Sequence, residues 1–426
     1  MATIHTPEHE TIPDFEQELL IREARRRTRR RRIWTGVILV GATVFVVVLS
    51  ETLGGRTAPT GPASPRPGSS VSTGIPTTNV VNLAGANTIT ASGSRVWVAI
   101  DRESLSSNYF AVIELNAKSG SLVRVMKNQP HSIVEPGIAS RVGDLTEPGY
   151  MAVSHSKLWV GDDQYWNATE LNSTNGSLVR VVSARADQLA FPGGIAISGG
   201  HVWIANSHVG ANSVTELKAR DGSLVRVINA PADQLSGPWK IAISGSNVFV
   251  LNSSGDSITE LNANTGALVR IINPRAGCCA QRSGTFQWAG PTSLAVSGSH
   301  LWVSDVYNGA NGGYQRSSVA EFDTKTGALI RLIRSTADQF NDPIAIAATD
   351  GAIWVENNDN TLTELNAQTG SLVHVIDLKL DAKGLNASDG MAVAGNYIAI
   401  LNIYSGQKGS VTIIDARTGK IIRVIQ

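Results

Sequence analysis

The residues of this 426-residue chain that can do chemistry are few: eight histidines, two adjacent cysteines, and a series of glutamates and arginines at regular spacing. Among the histidines, His131 and His208 fall in loops, where a metal ligand or an acid–base group would be useful. No HxxxH or HxH spacing accompanies them, so a helix- or strand-borne metal site is not written in the sequence. Cys278 and Cys279 are neighbours, with Cα atoms about 3.8 Å apart, below the usual disulfide range. Outside the cytoplasm they can close a strained vicinal ring; otherwise they are two free thiols in a long loop. Glu114 and Arg124, Glu170 and Arg180, Glu216 and Arg226, Glu260 and Arg270, and Glu321 and Arg331 each stand ten residues apart. Glu364 faces His374 at the same spacing, and Ile413 faces Arg423. Across a hairpin this spacing sets side chains opposite one another. We read the pairs as outer-strand ion pairs that fix register, worth about 0.2–1 kcal/mol each, rather than as a ligand ladder.

What positions these residues is a repeat that runs from Asn79 to Gln426. Its clearest copy is PGGIAISGGHVWIANSHVGANSVTELKARDGSLVRVIN, Pro192 to Asn229. The central position is Trp97, Trp159, Trp203, Phe249, Trp302, Trp354 and Ala399, at steps of 62, 44, 46, 53, 52 and 45 residues. Segments such as HVWIAN, SVTEL and SLVRVI are short and rich in β-branched and aromatic residues, with Ser-Gly or Thr-Gly turns between them. Each copy therefore supplies four antiparallel strands. Seven such units hide their unfinished apolar faces by closing radially, which predicts an all-β, seven-bladed propeller. Gly120, Gly176, Gly222, Gly266, Gly327, Gly370 and Gly419 occupy one place in the third-to-fourth turn, where a left-handed conformation is expected.

In that architecture the short uniform turns share one face, and the connections between second and third strands and between blades share the other. The second set varies widely: Lys127 to Glu147, Pro274 to Gly290 and Val306 to Arg316 are long. Variable loops on a rigid scaffold are the usual place for function. Second strands end in Asp162, Asn206, Asn252, Asp305, Asn357 and Asn402, a polar ring that either caps loops or lines a ligand mouth. Aromatic residues without a repeat equivalent include Tyr150, Trp239, Trp288, Tyr307 and Tyr314, and Lys240 is the only lysine at its repeat position. The candidate contact residues are thus Tyr150, Asp162, His208, Trp239, Lys240, Asp305 and Tyr307. Strand alternation predicts that Trp239 and Lys240 point to opposite sides, one to the channel and one to a neighbouring blade. No cofactor and no metal is implied.

Ahead of the repeat, Ile33 to Ser50 is an uncharged run of 18 residues, long enough as a helix for the hydrocarbon core. Eight arginines in 22–32 precede it and predict that residues 1–32 stay in the cytoplasm. A cleaved signal peptide is the rival, but no A-x-A-like site follows Leu49. We expect a transmembrane helix at 33–50, a Pro/Gly/Ser/Thr-rich linker at 51–78 and a propeller at 79–426, outside the cell membrane. Beyond residue 32 the chain holds 28 basic and 29 acidic residues, which gives no steering towards nucleic acid.

The stretch WIANSHVGANSVTELKARDGSLVRVI resembles the YVTN repeat of bacterial surface-layer propellers, and it is similar to the NHL repeat and to the repeat of virginiamycin B lyase. The lyase resemblance implies metal-assisted elimination by histidine and glutamate from loops of one face, which here leaves only His131 and His208 in place. IIDARTGKIIRV also resembles repeats of quinone-dependent dehydrogenases, which carry Trp where this chain has Arg423. A fold is not a function. The expectation is a single-pass, extracytoplasmic binding or interaction module at the bacterial cell surface, for a protein, a peptide or an envelope polymer. The alternative is a lyase of the virginiamycin B type acting from the variable loop face.

Overall fold

The computed structural model describes residues 77–78, 82–102, 109–127, 148–162, 166–183, 189–207, 212–273, 290–306, 317–334, 340–378, 385–404 and 409–426. The expected membrane segment at 33–50 lies outside them, and no helix among the described residues is long and apolar enough to cross a membrane. Gly74–Gln426 forms one compact unit.

Alternating apolar residues between glycine turns give seven four-stranded antiparallel sheets, at 86–127, 148–183, 192–228, 238–272, 291–333, 343–377 and 385–425. In blade three, for example, Pro192–Ser198 pairs with His201–Asn206, then Ser213–Lys218, then Leu224–Ile228. The innermost strands touch in cyclic order, with blade seven against blade one. This is the seven-bladed propeller that the repeat predicts.

The central aromatic of each second strand is the keystone of the next seam. Trp97 packs on Leu158 and Val160 of blade two, and Trp159 on Val202 and Ile204 of blade three. Trp203, Phe249, Trp302 and Trp354 repeat the arrangement around the ring. Trp159, Trp203, Trp302 and Trp354 are among the largest fully buried side chains. Blade seven departs twice at paired positions: Ala399 replaces the Trp, and its Cα partner Ile413 replaces the Glu. Both are buried in the aliphatic cluster that joins blade seven to blade one.

A two-residue strand, Thr77–Thr78, runs parallel to the outermost strand of blade seven, with Thr77 beside Val424 and Thr78 beside Ile425. The sequence reading ended the linker at 78, yet its last two residues extend this sheet to five strands. Residues so rich in hydroxyl and proline carry no apolar signal; backbone pairing with an open sheet edge is what recruits them.

All seven third-to-fourth turn glycines have positive φ, between 65° and 78°. They meet a second demand as well. A Cβ on Gly266 would lie 2.5 Å from Cδ of Arg226, in the blade before. Around the ring the same position meets Arg180, Arg270, Arg331, His374 and, across the closing seam at Gly120, Arg423. Each outer-strand arginine thus reaches beneath the turn of the following blade.

Candidate binding site on the innermost strands

The expected glutamate–arginine register is present. Glu114↔Arg124, Glu170↔Arg180, Glu216↔Arg226, Glu260↔Arg270, Glu321↔Arg331, Glu364↔His374 and Ile413↔Arg423 are all direct cross-strand partners. Their environment corrects the sequence reading, which took them for exposed pairs. Glu216, Glu260 and Glu321 have side chains 0% exposed, because the neighbouring Trp or Phe of the second strand covers them. Burial pushes the carboxyls of Glu216, Glu260, Glu321 and Glu364 up, opposed by the adjoining cation.

A second side chain from the start of the second strand joins four of these sites: the cations Arg95 and Lys157, and the imidazoles of His201 and His300. His201 Nδ1 stands 2.7 Å from Glu216, and His300 Nδ1 2.7 Å from Glu321. Both histidines are thus engaged with the buried glutamates. The guanidinium groups also bridge blades: Arg180, Arg226, Arg270 and Arg331 donate to backbone carbonyls of Arg220, Asn264, Lys325 and Gln368 in the following blade. The repeated charges build the ring, and a ligand must be sought elsewhere.

The polar ring at the second-strand ends resolves as loop caps. Asn252 is 0% exposed, donates to Ser257 and Thr259, and accepts from the Ser236 amide in the inter-blade loop. Asn206, Asn357 and Asn402 donate in the same way to a Ser or Thr pair on the third strand. Asp305 accepts from the Gly290 amide, and Asp162 and Asp305 are each 1% exposed. Both aspartates are candidate contact residues by sequence, and at this exposure they offer little surface of their own. Ala-Asp-Gln recurs in three inter-blade loops, at 186–188, 232–234 and 337–339, and the one among the described residues forms a turn: Asp233 is buried and Gln234 takes a left-handed φ of 48°.

Near the start of every innermost strand the pairing slips. In blades one to six it does so by one residue, between Ala86 and Thr88, Pro148 and Tyr150, Pro192 and Gly194, Pro238 and Lys240, Pro291 and Ser293, and Pro343 and Ala345. Such a bulge re-aims side chains and cancels the simple alternation of a strand. Trp239 is the extra residue in blade four, so the expectation that Trp239 and Lys240 point to opposite sides does not hold. Both are half-buried, and both reach Tyr150 of blade two. The Tyr150 and Trp239 rings meet edge to face, with centroids 5.2 Å apart at 81°. Lys240 Nζ lies 5.3 Å from the Tyr150 ring centre.

Blades two and four can meet because blade three recedes between them. Gly193 is its bulged residue, and a Cβ there would stand 3.2 Å from Trp239 Cε3. A Cβ on Gly194 would press at 2.6 Å on the Trp239 carbonyl oxygen. In blades one and five the bulged residues are polar and seal the junction, Asn87 to the Pro148 carbonyl and Thr292 to that of Pro343. The glycines of blade three replace that seal with an aromatic contact. The result is an apolar platform with one ammonium above it, suited to a sugar ring or a peptide group bearing an acceptor or negative charge.

Tyr150, Trp239 and Lys240, three of the candidate contact residues, therefore lie together, and Gly193 and Gly194 were not among the candidates. Their signal was visible: PGG occurs in only this blade. His131, His208, Cys278, Cys279, Trp288, Tyr307 and Tyr314 lie outside the described residues. Among the described residues no group of three or more His, Cys, Asp or Glu is arranged to hold a metal ion.

Residues 268–424 match the family described as outer membrane protein assembly factor BamB. The fold is similar to hydrazine synthase of Kuenenia stuttgartiensis, at 15% identity and a TM-score of 0.57 over 82% of this chain and 99% of that one. It is similar also to the WD40 domain of Neurospora crassa Pan2, at 9% identity and a TM-score of 0.52 over 77% and 88% of the two chains. At such identities these likenesses show the fold alone. No curated protein matches the sequence.

Proposed function

We propose that this chain is a single-pass, membrane-anchored propeller of the YVTN type that acts outside the bacterial cell as a binding module, with its ligand on the Tyr150–Trp239–Lys240 platform. The observation that carries the reading is the break in sevenfold repetition. The buried glutamates, arginines, turn glycines and cap residues recur because the ring needs them, whereas this trio occurs once and is held by glycines that also occur once. The family matched over residues 268–424 is described as an outer membrane assembly factor, which accords with a place in the envelope and with a protein partner. The arginine-flanked apolar run at 33–50 supports an inward N-terminus. The lyase alternative would rest on His131 and His208, and no observation favours it over binding.

Two measurements test the reading. Protease added to intact spheroplasts should digest the propeller; a protected propeller refutes the orientation. A photo-reactive phenylalanine analogue placed at Tyr150 should give discrete adducts in living cells, and these should weaken with Trp239→Ala. Adducts indifferent to Trp239, or none at all, refute the platform.

A further inference from the structure

We propose that the face built from the third-to-fourth turns is a docking surface for anionic lipid headgroups. The proposal takes its setting from the membrane-anchored reading and concerns the face opposite the platform. Six exposed basic side chains stand on those turns: Lys118, Lys218, Arg220, Lys325, Arg417 and Lys420. The three acids of the same turns accept local hydrogen bonds but keep their charge, and Asp221 alone pairs with a cation. Asp323 accepts from the amides of Lys325 and Thr326, and Asp415 from those of Arg417 and Thr418. Asp221 accepts from the Ser223 amide and hydroxyl and pairs with Arg220. Asp350, on a first-to-second-strand turn, is the further exposed acid of this face. Six basic groups thus face four acids on this side, an excess of two, whereas the chain beyond residue 32 carries 28 basic and 29 acidic residues.

Beside the turns four of the seven outer strands begin with an exposed leucine, while Leu268, Leu329 and Ile421 at the same place are partly buried against the core. Leu122, Leu178, Leu224 and Leu372 are 37%, 52%, 39% and 36% exposed. Basic groups interleaved with exposed leucines suit a bilayer surface, where the charge meets phosphate and the aliphatic group the acyl boundary. The chain itself supplies the direction. Thr77–Thr78 runs parallel to Ile421–Ile425 and pairs with its last residues, Val424 and Ile425, so this short strand points away from the third-to-fourth turns. Only 26 residues, 51–76, separate Thr77 from the apolar run, a reach of at most about 90 Å.

The test uses the full chain with Cys278→Ser and Cys279→Ser, reconstituted in vesicles with labelled headgroups. A dye is placed on the turn face by Thr174→Cys or on the opposite face by Ala230→Cys. In phosphatidylcholine with about a third phosphatidylglycerol, energy transfer to lipid should be at least about twofold greater from residue 174 than from residue 230. It should fall in pure phosphatidylcholine and in about 0.5 M salt. Lys118→Gln, Lys218→Gln, Lys325→Gln and Lys420→Gln together should reproduce the phosphatidylcholine value with an unchanged melting curve. If that variant unfolds, Lys118→Gln with Lys325→Gln should give an intermediate value. Equal transfer from the two positions, or transfer indifferent to anionic lipid, overturns the proposal, as does selective retention of an acidic protein without preference for anionic vesicles. Release of the chain by alkaline carbonate would instead refute the anchor, and cosedimentation of the released chain with phosphatidylglycerol vesicles would still decide the lipid face.

Discussion

Arg226→Ala should destabilise the propeller far more than an ordinary surface substitution. The arginine side chain is 29% exposed, but the Glu216 it pairs with is 0% exposed, at 2.7 Å. Removing the guanidinium leaves the Glu216 carboxylate beside Trp203 with the His201 imidazole as its other polar neighbour. Breaking a buried pair in this way costs about 3–5 kcal/mol. Water that enters where Arg226 stood moves the expectation to the lower end. The lost bond to the Asn264 carbonyl, in the next blade, adds about 1 kcal/mol. At about 2.1 cal/mol/K per residue, a domain of roughly 350 residues loses about 1.4 °C of Tm per kcal/mol, so about 4–6 °C is expected. Replacing both residues by methionine removes the stranded charge and should recover most of the loss. Blade seven, with buried Ile413 at the glutamate position, shows that the ring accepts an apolar residue there. Thermal unfolding followed by tryptophan fluorescence reads all three variants. A shift below about 1 °C for Arg226→Ala, or a double variant no more stable than the single, would refute the buried-latch argument.

Gly266→Ala and Gly245→Ala separate the two demands made on turn glycines. Both have positive φ, 72° and 56°, but only a Cβ at 266 meets Arg226, whereas nothing lies within 4 Å at 245. Gly245→Ala should cost about 1–2 kcal/mol of backbone strain and Gly266→Ala clearly more, by urea titration; equal costs would refute the inter-blade contact. For pH, burial lifts Glu260 above its ordinary 4.5, with only Arg270 opposing. The native state then holds the proton more tightly than the unfolded chain. The stability this contributes is therefore present below pH 4.5 and lost as pH rises through the higher native value. Glu260→Gln should flatten that part of the Tm profile; an unchanged slope would show that the carboxyl titrates normally.

Much of this protein was legible before folding. Repetition fixes what every blade must do locally: a glycine at 266 or 370, a central Trp, a glutamate ten residues before an arginine. Those signals are short-range, so spacing alone yields strands, turns, register and, by sevenfold recurrence, the closed ring. Burial is a different quantity, because it depends on which blade lies over which. Nothing in the spacing of Glu216 and Arg226 reveals that Trp203 and the neighbouring seam exclude water from the carboxylate, and so the pair reads as a surface contact until the ring closes. His201 and Glu216 are fifteen residues apart, a separation that the second hairpin alone turns into a 2.7 Å contact. The platform is the extreme case. Tyr150 and Trp239 are separated by 89 residues and a whole blade, and they touch because bulges re-aim their strands and Gly193 and Gly194 remove the side chains between them. Sequence determines the residues that break the pattern; only the packing of three successive blades decides that they meet.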